Sequence, residues 1–251
     1  MSTPSPAAPA HRAHAALLDA LARVAAFQRE RESNPILAGA MERLARWQAG
    51  RLRQTYADLA SSPRYVTAVQ FFEQDLYGQG DFTKRDTDLA RVTPMMVRML
   101  PERVIGTVAD AVGLHALSQE LDRALLSRLR RADAIFGVTD YCRAYRHLPE
   151  RTKREQQIVL IGRIGSALDA YVRKPLLATA LGMMHRPAHV AGFGALHDFL
   201  ERGFRAFRSM NGATEFLATV TARETALMNA IFDGDNAPFA DPMGPSVRAA
   251  E

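Results

Sequence analysis

Carboxylate, guanidinium and phenol groups are concentrated in residues 71–91, FFEQDLYGQGDFTKRDTDLAR, among large aromatic side chains. Side chains of these types bind a polar ligand or a protein partner when they line a pocket. The residues of this candidate binding site are Glu73, Asp75, Tyr77, Asp81, Arg85 and Asp86. The alternative is a buried corner between two helices, in which the carboxylates pair with Arg85 and Arg91. Structural ion-pair networks gather charges as active sites do, and this alternative is the more common one.

A second group of residues has the chemistry of metal ligands and consists of His185, His189, His197 and Glu201. On a helix begun at Pro187, His189 lies on an apolar stripe, and His197 and Glu201 lie one turn apart at its edge. Imidazole and carboxylate groups are ligands for iron and zinc, and an imidazole also binds haem iron. The spacing therefore supplies part of a metal or haem site.

The resulting hypothesis is an oxidoreductase that depends on a metal ion or haem and uses His189, His197 and Glu201 with a carboxylate from Glu73 or Glu120. Helical di-iron proteins take a Glu-x-x-His motif from each of two helices, and this sequence contains no such motif. The His197–Glu201 spacing is also explained as an i, i+4 pair on one helix. No cofactor is predicted outside this hypothesis, in which iron or haem would be bound.

A third candidate is an anionic-partner patch within residues 123–154, which contain nine basic and three acidic side chains. The arginines of this patch are Arg128, Arg130, Arg131, Arg143 and Arg146. Clustered arginines can contact the phosphates of a nucleic acid or a nucleotide. No helix-turn-helix, zinc-finger or RNA-binding motif accompanies them, so nucleic acid is disfavoured and a solvated helix face is the simpler interpretation.

Two stretches of the sequence resemble a known family. The pattern FF-x-x-DLYG-x-x-DF-x-x-RD, which begins at Phe71, and the later run FLERGFRAFRSMNGATEFL are similar to an uncharacterised family of bacterial proteins, mostly from proteobacteria. The resemblance covers roughly residues 15–233. It implies a helical fold, and it implies no activity or catalytic residue.

The elements that would position these groups are helices. Apolar residues recur at helical spacing from residue 9 to residue 233, and no stretch alternates with the period of a strand. The sequence therefore predicts an all-α fold, a single bundle-like domain of roughly eight to ten helices without a sheet. Residues 1–8 and the proline- and glycine-rich residues 234–251 are predicted to be disordered.

Composition limits the function classes. Hydrophobic residues make up 47% of the chain and charged residues 24%, as in ordinary globular domains. The single cysteine, Cys142, excludes an internal disulfide and fits a reducing compartment. No apolar stretch is long enough to cross a bilayer, and the N-terminus lacks the order of a secretion signal, so we expect a cytoplasmic protein without a membrane partner.

The leading prediction is a helical binding protein. The sequence has no Gly-Lys-Ser/Thr phosphate loop and no Gly-x-Ser-x-Gly elbow, which disfavours phosphate-loop NTPases and α/β-hydrolases. We therefore expect a protein that has no standard catalytic motif and binds an unknown protein or small-molecule partner at residues 71–91; the alternative is the oxidoreductase described above. Phe71 and the apolar first helices also allow a homodimer.

Overall fold

The computed structural model describes residues 9–76, 83–129 and 136–242. In these ranges it contains eleven α-helices, one π-helical turn and no strand, which confirms the predicted all-α class and single domain. The α-helices are α1 (Pro9–Ser33), α2 (Pro35–Thr55), α3 (Ala57–Ala60), α4 (Val66–Phe71), α5 (Thr83–Met99), α6 (Glu102–Arg128), α7 (Val138–Arg146), α8 (Arg151–Val172), α9 (Pro175–Val190), α10 (Gly194–Ser209) and α11 (Thr214–Phe232). None of these helices is long and apolar enough to cross a membrane.

The first helix packs lengthwise on α6. Leu17, Ala20 and Val24 of α1 are buried against Ile105 and Ala109 of α6. These α1 residues recur every three or four positions, which places them on one face of the helix. The apolar face formed by these α1 residues is therefore covered within the chain, and the homodimer considered above stays a prediction.

A second core surrounds the only tryptophan. Trp47 of α2 stacks on Tyr141 of α7, with ring centroids 4.4 Å apart. Phe239 contacts the Trp47 ring edge-on, with centroids 5.8 Å apart. Pro242 lies so close to α2 that a Cβ added at Gly50 would be only 2.9 Å from the Pro242 Cβ. The chain that follows α11 thus closes this core.

Residues 234–242, the described part of the predicted C-terminal tail, make hydrogen bonds to the helical domain. Gln54 donates to the carbonyl of Asp241 at 3.1 Å, and Arg146 donates to the carbonyl of Asp235 at 2.9 Å. Such contacts leave no periodic pattern in the sequence. Residues 1–8 and 243–251, the remainder of the two predicted tails, lie outside the described residues.

A third core lies where α4 meets α10. The π-helical turn Phe72–Leu76 continues α4, and it turns adjacent phenylalanines toward different neighbours. Phe71 packs on Phe199, with centroids 5.5 Å apart, while Phe72 packs on Phe216 at 5.7 Å. Phe71 is buried within the chain, so it does not supply an exposed surface for a homodimer.

The lone cysteine lies in the core around Trp47, and it gives a direct test of this packing. Cys142 is fully buried, and burial raises the pKa of its thiol to about 11. We expect iodoacetamide to label the folded protein very slowly at neutral pH and to label it readily in denaturant, since the thiolate is the reactive form. Mass spectrometry of timed samples measures both rates. Rapid labelling without denaturant would contradict the burial of α7.

Candidate metal centre

The corner between α9 and α10 is built by a glycine. At the end of α9, Gly192 has a φ of +79°, and its N–H bonds to the carbonyl of His189. The N–H of Phe193 bonds to the carbonyl of Ala188 at 2.8 Å. These two bonds form a Schellman motif, in which a residue with positive φ ends a helix. The chain then reverses, and α10 begins at Gly194 against the last turns of α9.

This corner corrects the sequence prediction of a helix that begins at Pro187. Pro187 lies inside α9, and the break between the helices falls at Gly192. His189 and His197 are therefore on two helices rather than on one. The prediction was wrong because a proline can either begin a helix or be tolerated within one, whereas the positive φ of Gly192 ends α9.

Three side chains at this corner present metal-binding atoms to one another. Glu201 places its two carboxylate oxygens 3.3 Å from His185 Nδ1 and 3.2 Å from His197 Nε2. One donor atom from each of the three residues lies within 4.8 Å of the other two. Bonds of about 2.1 Å in tetrahedral geometry separate donor atoms by roughly 3.4 Å. The two distances between the carboxylate and the imidazoles are therefore close to the donor spacing around a bound ion.

A second group of donors shares His185. His189 Nε2 lies 2.8 Å from Asp198 Oδ1, and the His185 and His189 rings are 4.6 Å apart. His185, His189 and Asp198 also place one donor atom each within 4.8 Å of the others. A Cβ added at Gly194 would lie 2.7 Å from His189 Nδ1, so the ring rests directly on the start of α10. The absence of a side chain at Gly194 thus makes room for this imidazole.

The first group is anchored on the protein side and open on the solvent side. The His197 side chain is 6% exposed, whereas that of His185 is 48% exposed and that of Glu201 is 25% exposed. A buried ligand with a fixed orientation and two accessible ligands leave room for a water molecule or a small ligand on a bound ion. An ion held by these three residues would keep a coordination position open to solvent.

The structure brings together only part of the predicted metal set. His197 and Glu201 meet, whereas His189 meets Asp198, and His185 links the two pairs. Asp198 was missed by the sequence reasoning. The sequence signal for this arrangement is a pair of i, i+4 spacings on either side of Gly192. The first joins His185 to His189, and the second joins His197 to Glu201.

The two carboxylates considered as additional ligands have cationic partners elsewhere. Glu73 lies 3.8 Å from Arg53 Nε. Glu120 accepts from Arg23 at 2.9 Å and from Lys153 at 2.5 Å. Neither belongs to the donor groups that the described residues form.

Most charged side chains in the described part of residues 71–91 form ion pairs. Asp75 is buried and accepts from Arg202 of α10, with the closest atoms 2.7 Å apart. Asp86 lies 2.9 Å from Arg85 Nη2 and 3.3 Å from His115 Nε2. Burial raises the pKa of Asp86, but the hydrogen bond from His115 and the charge of Arg85 outweigh it, so the pKa lies below its usual value.

Two members of this predicted binding site, Tyr77 and Asp81, lie outside the described residues. The other members form ion pairs, but only Asp86 pairs with Arg85 as the structural alternative proposed, whereas Glu73 pairs with Arg53 and Asp75 with Arg202. These pairs join the π-helical turn to α2 and α10, and α5 to α6, and this leaves fewer of the charged groups for a ligand.

Most of the helical chain matches one known protein family. Residues 26–238 match the model of a family described as Domain of unknown function (DUF8198). The chain belongs to this family. The resemblance to an uncharacterised family is thereby confirmed. No curated protein and no solved structure matches the chain. All five candidate ligands at the α9–α10 corner fall within the DUF8198 domain.

The described arginines of the basic patch in this DUF8198 protein have different surroundings. Arg143 is exposed and lies 3.5 Å from Asp140, whereas Arg146 donates to the carbonyl of Ile231 at 2.6 Å. Arg128 is exposed at the end of α6. The remaining two predicted members, Arg130 and Arg131, lie outside the described residues.

Proposed function

We propose that this DUF8198 protein binds a divalent transition-metal ion between α9 and α10, with His185, His197 and Glu201 as its ligands. The observation that carries the proposal is the convergence of two imidazole nitrogens on one carboxylate, at 3.2 and 3.3 Å. The ligands come from two helices whose relative position is fixed by the Gly192 turn, which supports a site that exists before the ion arrives.

The donor set favours particular metals. Imidazole nitrogens suit zinc, copper, iron and nickel, and two histidines with one carboxylate and open positions are typical of non-haem Fe²⁺ sites. Catalytic zinc sites use the same donor types and keep one position for water. We therefore propose Fe²⁺ or Zn²⁺, with the solvent side of the site available to a small ligand.

The haem form of the hypothesis has less support. Haem needs a large apolar cavity beside its axial histidine. Among the described residues, no histidine lines the cavity between α8 and α11 or the cavity between α2, α6, α7, α8 and α11. We accordingly propose that the protein binds a metal ion rather than haem. Any reaction of the ion would take place on the solvent side of the site, next to His185 and Glu201.

Metal titration tests this proposal. We expect metal-free protein to take up one equivalent of Co²⁺ or Zn²⁺, with visible Co²⁺ absorption that indicates nitrogen and oxygen ligands. Glu201→Gln should weaken uptake strongly, because the amide removes the negative charge that faces both imidazoles. His147→Ala, which removes an exposed histidine at the end of α7, is the matched control and should bind as the unsubstituted chain does. Failure to saturate, or equal uptake by Glu201→Gln, would refute the site.

A further inference from the structure

A second site lies inside the bundle, away from the α9–α10 corner. A largely enclosed cavity of about 70 Å³ lies between α2, α6, α7, α8 and α11. This volume is the space open to the centre of a water-sized sphere, and one water molecule needs roughly 10–15 Å³ of it. The cavity therefore has room for about five water-sized groups. Its walls carry an unusual number of charged and polar side chains for an interior position.

One pair of charges in the wall is balanced internally. Arg51 Nη1 lies 2.6 Å from Glu224 Oε1, and the hydroxyl of Tyr56 donates to the same oxygen at 2.7 Å. Burial lowers the pKa of Arg51, but the charge of Glu224 and its hydrogen bond more than offset this, so the pKa is raised. The charges of Arg51 and Glu224 therefore neutralise each other. The other charged residues that line the cavity are Asp122 and Arg154.

Arg154 of α8 is the charge that remains without an anionic contact. The residue is 6% exposed, and its guanidinium carbon lies 4.5 Å from the centre of the Tyr145 ring. Its Nη1 donates to Gln157 at 3.3 Å, whereas its buried Nη2 has no hydrogen-bond partner among the described residues. A guanidinium offers five donors, and a buried charged donor without an acceptor is costly.

The carboxylate that interacts electrostatically with Arg154 is hydrogen-bonded to a different residue. Asp122 of α6 also lines the cavity and accepts from Gln48 at 2.8 Å. Burial raises the pKa of Asp122, although the charge of Arg154 and the hydrogen bond from Gln48 oppose that rise. No carboxylate of the described residues pairs with Arg154. The cavity therefore contains a buried cation whose free donor lacks an acceptor.

We propose that this cavity binds a small oxyanion of the carboxylate or phosphate class, held by Arg154 Nη2 beside the Tyr145 ring. A guanidinium is well matched to oxyanions because its N–H groups can donate to two oxygens at once. The volume limits the ligand to about five non-hydrogen atoms, by the same measure of space. Acetate and inorganic phosphate both fit this limit. This site is independent of the proposed metal ion and shares no residue with it.

Binding of inorganic phosphate and of acetate to the full chain tests the proposal, by titration calorimetry and by thermal unfolding. We expect saturable binding of at least one of these anions, accompanied by a higher Tm. Arg154→Met should weaken that binding at least about tenfold, the loss expected from removing a hydrogen bond to a charged group. Arg151→Met is the matched control, because Arg151 lies on the same helix but is exposed and pairs with Glu155 at 3.2 Å.

A loss of folding in Arg154→Met would not end the test. The double variant Arg154→Met, Asp122→Asn removes both charges of that wall, so it should fold and should still fail to bind the anion. Three results would overturn the proposal: no saturable binding of either anion to the unsubstituted chain, equal binding by the folded Arg154 variants, or an equal loss in Arg151→Met.

Discussion

Replacing His185 with alanine is expected to weaken metal binding by about a hundredfold or more. His185 is the one residue common to both donor groups, so its loss leaves only His197 with Glu201 and His189 with Asp198. Substitution of a residue that only hydrogen-bonds to a metal ligand lowers metal affinity by about 10–100-fold. Substitution of a direct ligand should lower it at least as much. Because the side chain is 48% exposed, the variant should fold normally, and circular dichroism together with Tm checks this.

Two further variants separate the donor groups. Gly194→Ala places a Cβ where the His189 ring now lies, so it should displace that ring and disturb only the second group. His189→Ala should have the same effect on metal uptake. If one ion binds at His185, His197 and Glu201 as proposed, both variants should retain its binding, measured by equilibrium titration with Zn²⁺. Binding that survives His185→Ala but is lost in Gly194→Ala would assign the ion to a different set of ligands.

Removing the Glu224 carboxylate is expected to lower the free energy of unfolding by about 3–5 kcal/mol, the usual cost of leaving a buried charge without its partner. The side chains of Arg51 and Glu224 are 13% and 18% exposed, so water replaces the lost contact poorly. Glu224→Ala also leaves the buried hydroxyl of Tyr56 without the oxygen to which it donates. Urea unfolding followed by circular dichroism measures the loss.

The interpretation of that loss depends on two comparisons. Replacing both members, as in Arg51→Met with Glu224→Met, should restore most of the stability, because a buried ion pair often contributes no more than apolar side chains of similar volume. Glu155→Ala removes a pair whose side chains are 48% and 50% exposed, and it should cost no more than about 1 kcal/mol. Equal effects of Glu224→Ala and Glu155→Ala would show that the Arg51–Glu224 pair is not buried in solution.

The helices could be predicted because their apolar residues repeat with the period of the α-helix. Pro149 lies just before α8 (Arg151–Val172), and Phe216, Leu217, Met228 and Ile231 are the buried residues of α11 (Thr214–Phe232). In both cases a local signal, proline before the first turn or a regular apolar face, is sufficient. The all-α class follows directly from such local patterns.

The candidate sites were less predictable because they depend on which helices meet. The His197–Glu201 pair could be inferred, since i, i+4 neighbours lie together on any helix. The participation of His185 depends on the turn at Gly192, which brings α9 back against α10. The environment of Arg154 depends on five packed elements, and its position within an arginine-rich stretch suggested an exposed residue.

The stretch 71–91 illustrates the opposite error. Its charges are dense in the sequence, yet Asp75 and Asp86 are engaged by Arg202, Arg85 and His115 in the folded chain. Residue type alone does not distinguish a ligand pocket from a network of ion pairs, because both need opposite charges close together. The decisive quantity is the number of donors left without acceptors, which is fixed by the tertiary arrangement.

The contact between Phe239 and Trp47 gives this protein a constraint on its synthesis. Chains are made from the N-terminus, and their early segments can begin to fold while later ones are still being translated. Trp47 leaves the ribosome long before Phe239, the ring that meets it edge-on at 5.8 Å. The Trp47 ring therefore lacks its edge-on contact until Phe239 has been synthesised. A premature stop before residue 239 would leave this apolar surface permanently open, so such truncated products should be recognised and degraded.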